Sequence, residues 1–248
     1  MAIERTYFKT RTPKENAEEV VAWLSENATE YFDSFSVGRT NAESESNVVY
    51  GIMCNVENAQ LGIGLKSSSM VSSSNYNDLI IKVNGGYQTP EKYMNGYITY
   101  IIWAAKTNNG IVLYGNSSHN VFITKSNKGT TCVYVHWYGY YAESYMLGVH
   151  LHHSCDLINS SKVNGIFPSG ATSSSTYPMQ ASTYNNSQYY FTANSSVGLT
   201  SLAPFCFDGD TYAPNMFLTP FSQYVGQVGI IEIDGVQYIY NGYVALRE

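Results

Sequence analysis

The hydrophobic positions change period once along this chain. Near the start, apolar residues fall at Ala17, Val20, Val21, Leu24, Ala28, Tyr31 and Phe32, the spacing of one helical face. Thr12-Pro13-Lys14-Glu15 stands just before them, a capping-box pattern with Pro at the first helical position. Glu15, Glu18 and Glu19 lie where the helix dipole favours negative charge. The pattern predicts a helix over about 13–32. Its apolar face would pack either on a sheet of its own chain or on a neighbouring subunit.

After position 46 the period is two. Val-, Ile-, Tyr- and Thr-rich runs predict strands at 47–56, 60–66, 78–84, 96–106, 110–116, 120–126, 130–138, 144–152, 228–233 and 236–240. Thr107-Asn108-Asn109-Gly110 and Ser126-Asn127-Lys128-Gly129 have hairpin-loop chemistry. Asp234-Gly235 is the strongest hairpin signal, because a type I′ turn needs positive φ at both central residues. Residues 154–225 lack sustained alternation and are rich in Ser, Asn, Tyr, Pro and Gly, so extended loops and short strands are expected there. The expected fold is mainly β: an antiparallel sandwich or barrel-like domain with one N-terminal amphipathic helix and long loops in its C-terminal half. The chain divides by pattern into a helical segment, 1–46, and a β-rich domain, 47–248.

Charge sharpens that division. Residues 1–46 hold 14 of the 32 formal charges (13 basic, 19 acidic). Only 13 % of the 248 residues are charged, about half the usual share, and 23 are Tyr. The polar surface is therefore mostly neutral hydroxyls and amides. A net charge of −6 argues against nucleic acid as the main partner, since phosphate binding needs clustered cations. No run of 18 apolar residues suggests a membrane-spanning helix. The opening Met-Ala-Ile-Glu-Arg does not read as a signal peptide. The widely spaced Cys54, Cys132, Cys155 and Cys206 are expected as free thiols.

Candidate chemistry is sparse. His150-Leu151-His152-His153-Ser154-Cys155-Asp156 is the densest cluster of metal-capable residues. On a strand, His150 and His152 share a face about 7 Å apart, so they would bind a metal with His136, His119 or a symmetry-related copy as third ligand. The alternative is a set of solvated or hydrogen-bonded histidines, with no cofactor. Asp208-Gly209-Asp210 lacks the full calcium-loop pattern and reads as a turn. Gly62-Ile63-Gly64-Leu65-Lys66-Ser67 fails the spacing of a phosphate loop. No motif of a known nucleophile, zinc protease or dinucleotide site occurs, and the chain is not expected to be an enzyme. The aromatic run Tyr134-Val135-His136-Trp137-Tyr138-Gly139-Tyr140-Tyr141 is the most unusual stretch. Tyr134, His136, Tyr138 and Tyr140 would share one face, with Trp137 on the other. Such a run would form core or a subunit interface, or would stack on sugar rings.

The C-terminal third resembles a known group. Leu202-Ala203-Pro204-Phe205, Ala213-Pro214-Asn215-Met216-Phe217, the hairpin Gly229-Ile230-Ile231-Glu232-Ile233-Asp234-Gly235-Val236-Gln237-Tyr238-Ile239 and the closing Gly242-Tyr243-Val244-Ala245-Leu246 look like the ends of structural proteins of tailed bacteriophages and prophages. The resemblance covers about 50 residues and transfers no catalytic residue. It implies a virion subunit of the tail, baseplate or neck, assembled in the bacterial cytoplasm with copies of itself and other virion proteins. Two further functions compete with it. One is a host-surface glycan-binding module, with Trp137 and its Tyr neighbours as platform. The other is a cell-wall hydrolase using His152 and Cys155, or Asp208 and Asp210.

Overall fold

A computed structural model describes residues 3–39, 48–56, 59–66, 79–83, 86–88, 100–116, 119–138, 144–151, 179–184, 188–193, 203–208, 211–218, 228–241 and 244–248. The fold is mainly β, antiparallel throughout, and sandwich-like rather than a closed barrel.

The central layer is a six-stranded sheet. Strands β7 (Ile101–Lys106), β8 (Gly110–Gly115), β9 (Asn120–Lys125), β10 (Thr131–Tyr138) and β11 (Ser144–Leu151) follow one another as hairpins, and β1 (Arg5–Tyr7) adds to the outer edge of β7. A second sheet is a meander of β2 (Ser34–Arg39), β3 (Val49–Val56), β4 (Ala59–Lys66), β5 (Leu79–Val83) and β6 (Gly86–Gln88). The third sheet runs in the order β14 (Ala203–Asp208), β15 (Thr211–Leu218), β18 (Val244–Arg247), β17 (Val236–Tyr240), β16 (Gly229–Ile233). A ribbon of β12 (Met179–Tyr184) and β13 (Gln188–Ala193) lies beside β11. Strands β12 to β15 are the short strands expected within 154–225.

Both faces of the central sheet are covered. Ile111, Leu113, Val121, Ile123 and Val133 point into one core, shared with the helix and with Ile52, Cys54, Leu61, Ile63 and Leu65 of the second sheet. Their neighbours Val112, Phe122, Cys132 and Tyr134 point into the other, against Met216, Ile239, Val244 and Leu246 of the third sheet. The alternation along β8 to β10 therefore separates two cores rather than core from solvent. That explains the unbroken apolar runs Ile111-Val112-Leu113 and Val121-Phe122-Ile123. Each fully buried side chain of this size contributes about 1.5–3 kcal/mol.

Helix α1 (Pro13–Asn27) buries Ala17, Val20 and Leu24 against its own chain's β2, β3, β4 and β7. Pro13 stands in the first turn, but the Thr12 side chain makes no bond to the helix backbone; its hydroxyl donates to Glu15 Oε2 at 2.8 Å. The helix is five residues shorter than its apolar period suggests. Ala28 is the C-cap, and the amides of Tyr31 and Phe32 return to Ala28 O at 2.9 and 3.2 Å. The chain must reverse here to enter β2, where Asp33 N donates to Asn55 O at 2.7 Å. Tyr31 and Phe32 stay on the apolar stripe because the turn faces the same core as the helix.

The predicted turns form. Asp234 and Gly235 take φ of 51° and 76° between β16 and β17, and Gly129 takes 78° between β9 and β10. The β7–β8 turn also holds the last strand: Thr107 Oγ1 donates to Arg247 O at 3.1 Å and Asn109 Nδ2 to Glu248 O at 2.6 Å.

Candidate functional site

The aromatic run of β10 is not an exposed platform where its side chains are described. Tyr134, expected at an interface or under a sugar ring, is 0 % exposed. It meets Phe122 edge-on, ring centroids 5.9 Å apart, between the central and third sheets. Of the readings left open for Tyr134, core is the one found, and an accessible ring is corrected: the third sheet covers the face of β10 on which it lies. His136, Trp137 and Tyr138 continue β10 in register with Met146, Tyr145 and Ser144 of β11. Tyr140 lies outside the described residues.

The histidine cluster is divided in the same way. His150 stands in β11 opposite Cys132 of β10. His152, Cys155 and Asp156 lie outside the described residues. His119 sits in the β8–β9 turn, buried, with Nδ1 3.0 Å from Asn116 O. Among the described residues no three His, Cys, Asp or Glu side chains converge. Asp208 ends β14 opposite Thr211, and Asp210 lies outside the described residues. Cys54 and Cys132 are buried thiols outside any disulfide. Burial alone pushes the Cys54 thiol far above its ordinary pKa, which makes it a poor nucleophile.

The surface feature that stands out was not read from the sequence. It is a seam where edge strand β1 of the central sheet meets edge strand β16 of the third. Arg5 spans it: Nη2 donates to Val228 O at 3.4 Å, and the guanidinium lies 4.5 Å from the Trp103 ring centroid. Trp103 in turn stacks on Tyr114, centroids 5.2 Å apart. This cation–π contact is worth roughly 0.5–2 kcal/mol and fixes the arginine across the gap. Around it lies an open depression of about 530 Å³, lined by Ile3, Glu4, Arg5, Tyr7 and Ile230. Tyr7 is 60 % exposed and Ile230 43 %, the two exposed large hydrophobics among the described residues.

The ladder explains what this edge offers. Phe8 N donates to Ile102 O at 3.0 Å, and the register pairs Thr6 with Ala104. In an antiparallel pair bonding alternates, so the main-chain groups of Arg5 and Tyr7 point away from β7. On β16, Ile230 and Glu232 share one face while Ile231 and Ile233 share the other, opposite Tyr238 and Val236. The seam thus presents apolar side chains beside two strand edges. It brings together one carboxylate and one guanidinium, and no nucleophile. Its chemistry is contact area and main-chain hydrogen bonding. Ile230 stood in a recognised hairpin, but β1 is too short for a period, and nothing in the sequence brings it to β16.

Among the described residues no helix is long and apolar enough to cross a membrane. No protein-family model, no curated protein and no solved structure matches this chain.

Proposed function

We propose that this chain is a non-enzymatic structural subunit of a tailed-bacteriophage virion, in the tail, baseplate or neck, that works by joining copies of itself and neighbouring subunits. The observation that carries the self-association is the seam. Two strand edges with exposed Tyr7 and Ile230 flank one open depression. An exposed apolar strand edge is a template for another chain, and proteins that stay monomeric blunt it with charge, Pro or a cover. Here Ile230 remains exposed, with Glu232 on its own face and Arg5 on the facing edge as the charges beside it. The sparse charge agrees with this use, because few ions need desolvation when surfaces close. The virion assignment rests on the C-terminal resemblance together with this surface.

Size-exclusion chromatography with light scattering tests the self-association. The expected result is a discrete oligomer that Ile230→Lys shifts to lower mass without loss of fold, since a lysine on a strand edge blocks pairing. A chain that stays strictly monomeric at high concentration overturns the proposal.

A further inference from the structure

A second groove lies beside β1, on the side away from Arg5 and Tyr7. It has a volume of about 380 Å³, and its lining includes Glu4, Thr6, Trp23, Lys106, Asn108 and Glu248. Edge strand β1, helix α1, the β7–β8 turn and the end of β18 each supply part of it.

Trp23 is its aromatic member. The indole N–H donates to Thr6 Oγ1 at 3.2 Å, and Phe8 meets the ring edge-on with centroids 6.4 Å apart. The ring is therefore held before any ligand arrives, which lowers the entropic cost of binding. The groups around it are polar and of mixed kind. Carboxylates at Glu4 and Glu248 accept hydrogen bonds, Lys106 donates, and the Asn108 amide does both. The Lys106 ammonium lies 3.5 Å from Glu30 and is shared with it. Two carboxylates against one shared ammonium make the groove unfavourable for phosphate or any other anion. A purely apolar ligand would leave the polar rim without partners. A molecule with one apolar face and many hydroxyls satisfies both parts, because hydroxyls donate and accept.

We propose that this groove binds an uncharged saccharide, one sugar ring lying on Trp23 with its hydroxyls bonded to Glu4, Lys106 and Asn108. The inference is independent of self-association, which light scattering reads separately. The platform is Trp23, a residue separate from Trp137.

Saturation-transfer NMR on the full chain, with a panel of uncharged glucose-, galactose- and N-acetylglucosamine-containing disaccharides, tests it. Ring C–H protons of at least one disaccharide should receive saturation. Asn108→Ala and Lys106→Gln, both at exposed positions outside the seam, should each weaken binding about three- to tenfold, the value of one hydrogen bond. The melting temperature should not move. Trp23→Ala is less informative alone, since Trp23 also packs on the core. Absence of transfer to every disaccharide overturns the proposal. Transfer that both exposed variants leave unchanged also overturns it, because the sugar would then sit elsewhere.

Discussion

Asn16 offers the sharpest test of how the helix is fastened to the central sheet. It is a polar residue at 0 % exposure on the buried side of α1. Its amide nitrogen donates to Ile101 O at 2.9 Å and Thr10 O at 3.1 Å, and its oxygen accepts from Ile101 N at 2.6 Å. Ile101 is 1 % exposed and stands at a register shift in the β7–β8 pairing. Asn16 thus takes the place of a strand partner for both main-chain groups of Ile101. Asn16→Ala would leave those two groups buried and unmatched, at about 1–3 kcal/mol each. Thr10 O keeps its bond from Arg11 Nη1 at 3.2 Å, so it adds little. Alanine returns about 0.6 kcal/mol through helix propensity. The expected net loss is about 1.5–5.5 kcal/mol, the middle of which lowers the melting temperature by roughly 7–14 °C for a chain of this length. Urea denaturation measures it, with an unchanged slope as the sign of an unchanged unfolded state. Amide exchange at Ile101 should accelerate in parallel. A loss below about 1 kcal/mol at constant slope would refute the reasoning, since water or relaxation would then be serving those groups.

Three more outcomes follow from the same structure. Burial opposes ionisation of Glu19, but bonds from Thr10 Oγ1 and from the amides of Lys9 and Thr10 outweigh it and lower its pKa. A lowered folded-state pKa means stability that is present above the ordinary carboxylate range and lost as pH falls through the folded value; Glu19→Gln should flatten that acid limb in pH-dependent denaturation, and an unchanged limb would contradict it. At Gly110 a Cβ would press on Ile123 O and stand 2.8 Å from Leu246 Cδ2; Gly110→Ala should cost about 3 kcal/mol in the same urea assay, near the upper end for overpacking. The Cys54 thiol, buried with its pKa pushed up, should react with a thiol reagent only as fast as the native chain opens; rapid modification of the folded protein would contradict its placement.

Most single elements were legible because their signals are local. The period of two marks the strands from β3 to β5, those from β7 to β11, and the β16–β17 pair. Asp234-Gly235 marks its turn because few other residues accept positive φ there. Ala17, Val20 and Leu24 mark the buried face of α1. The end of that helix was not legible, since Tyr31 and Phe32 extend the apolar stripe through a turn that periodicity cannot distinguish from helix. Strands β1 and β6 span three residues each, too few to show any period.

The candidate surfaces lay beyond the sequence altogether. The sequence leaves Tyr134 open between core and an outer face, because alternation states which side of a strand it takes and not what covers that side. The third sheet covers it, and its strands come from the far end of the chain. The same packing brings Arg5 to Val228 and Thr107 to Arg247 across more than a hundred residues. The sequence by itself determined strand, helix and turn, which depend on neighbours a few positions apart. Which faces were buried, and which edges were left open, only the stacking of three sheets decided, because exposure is a property of the layers and not of the strand.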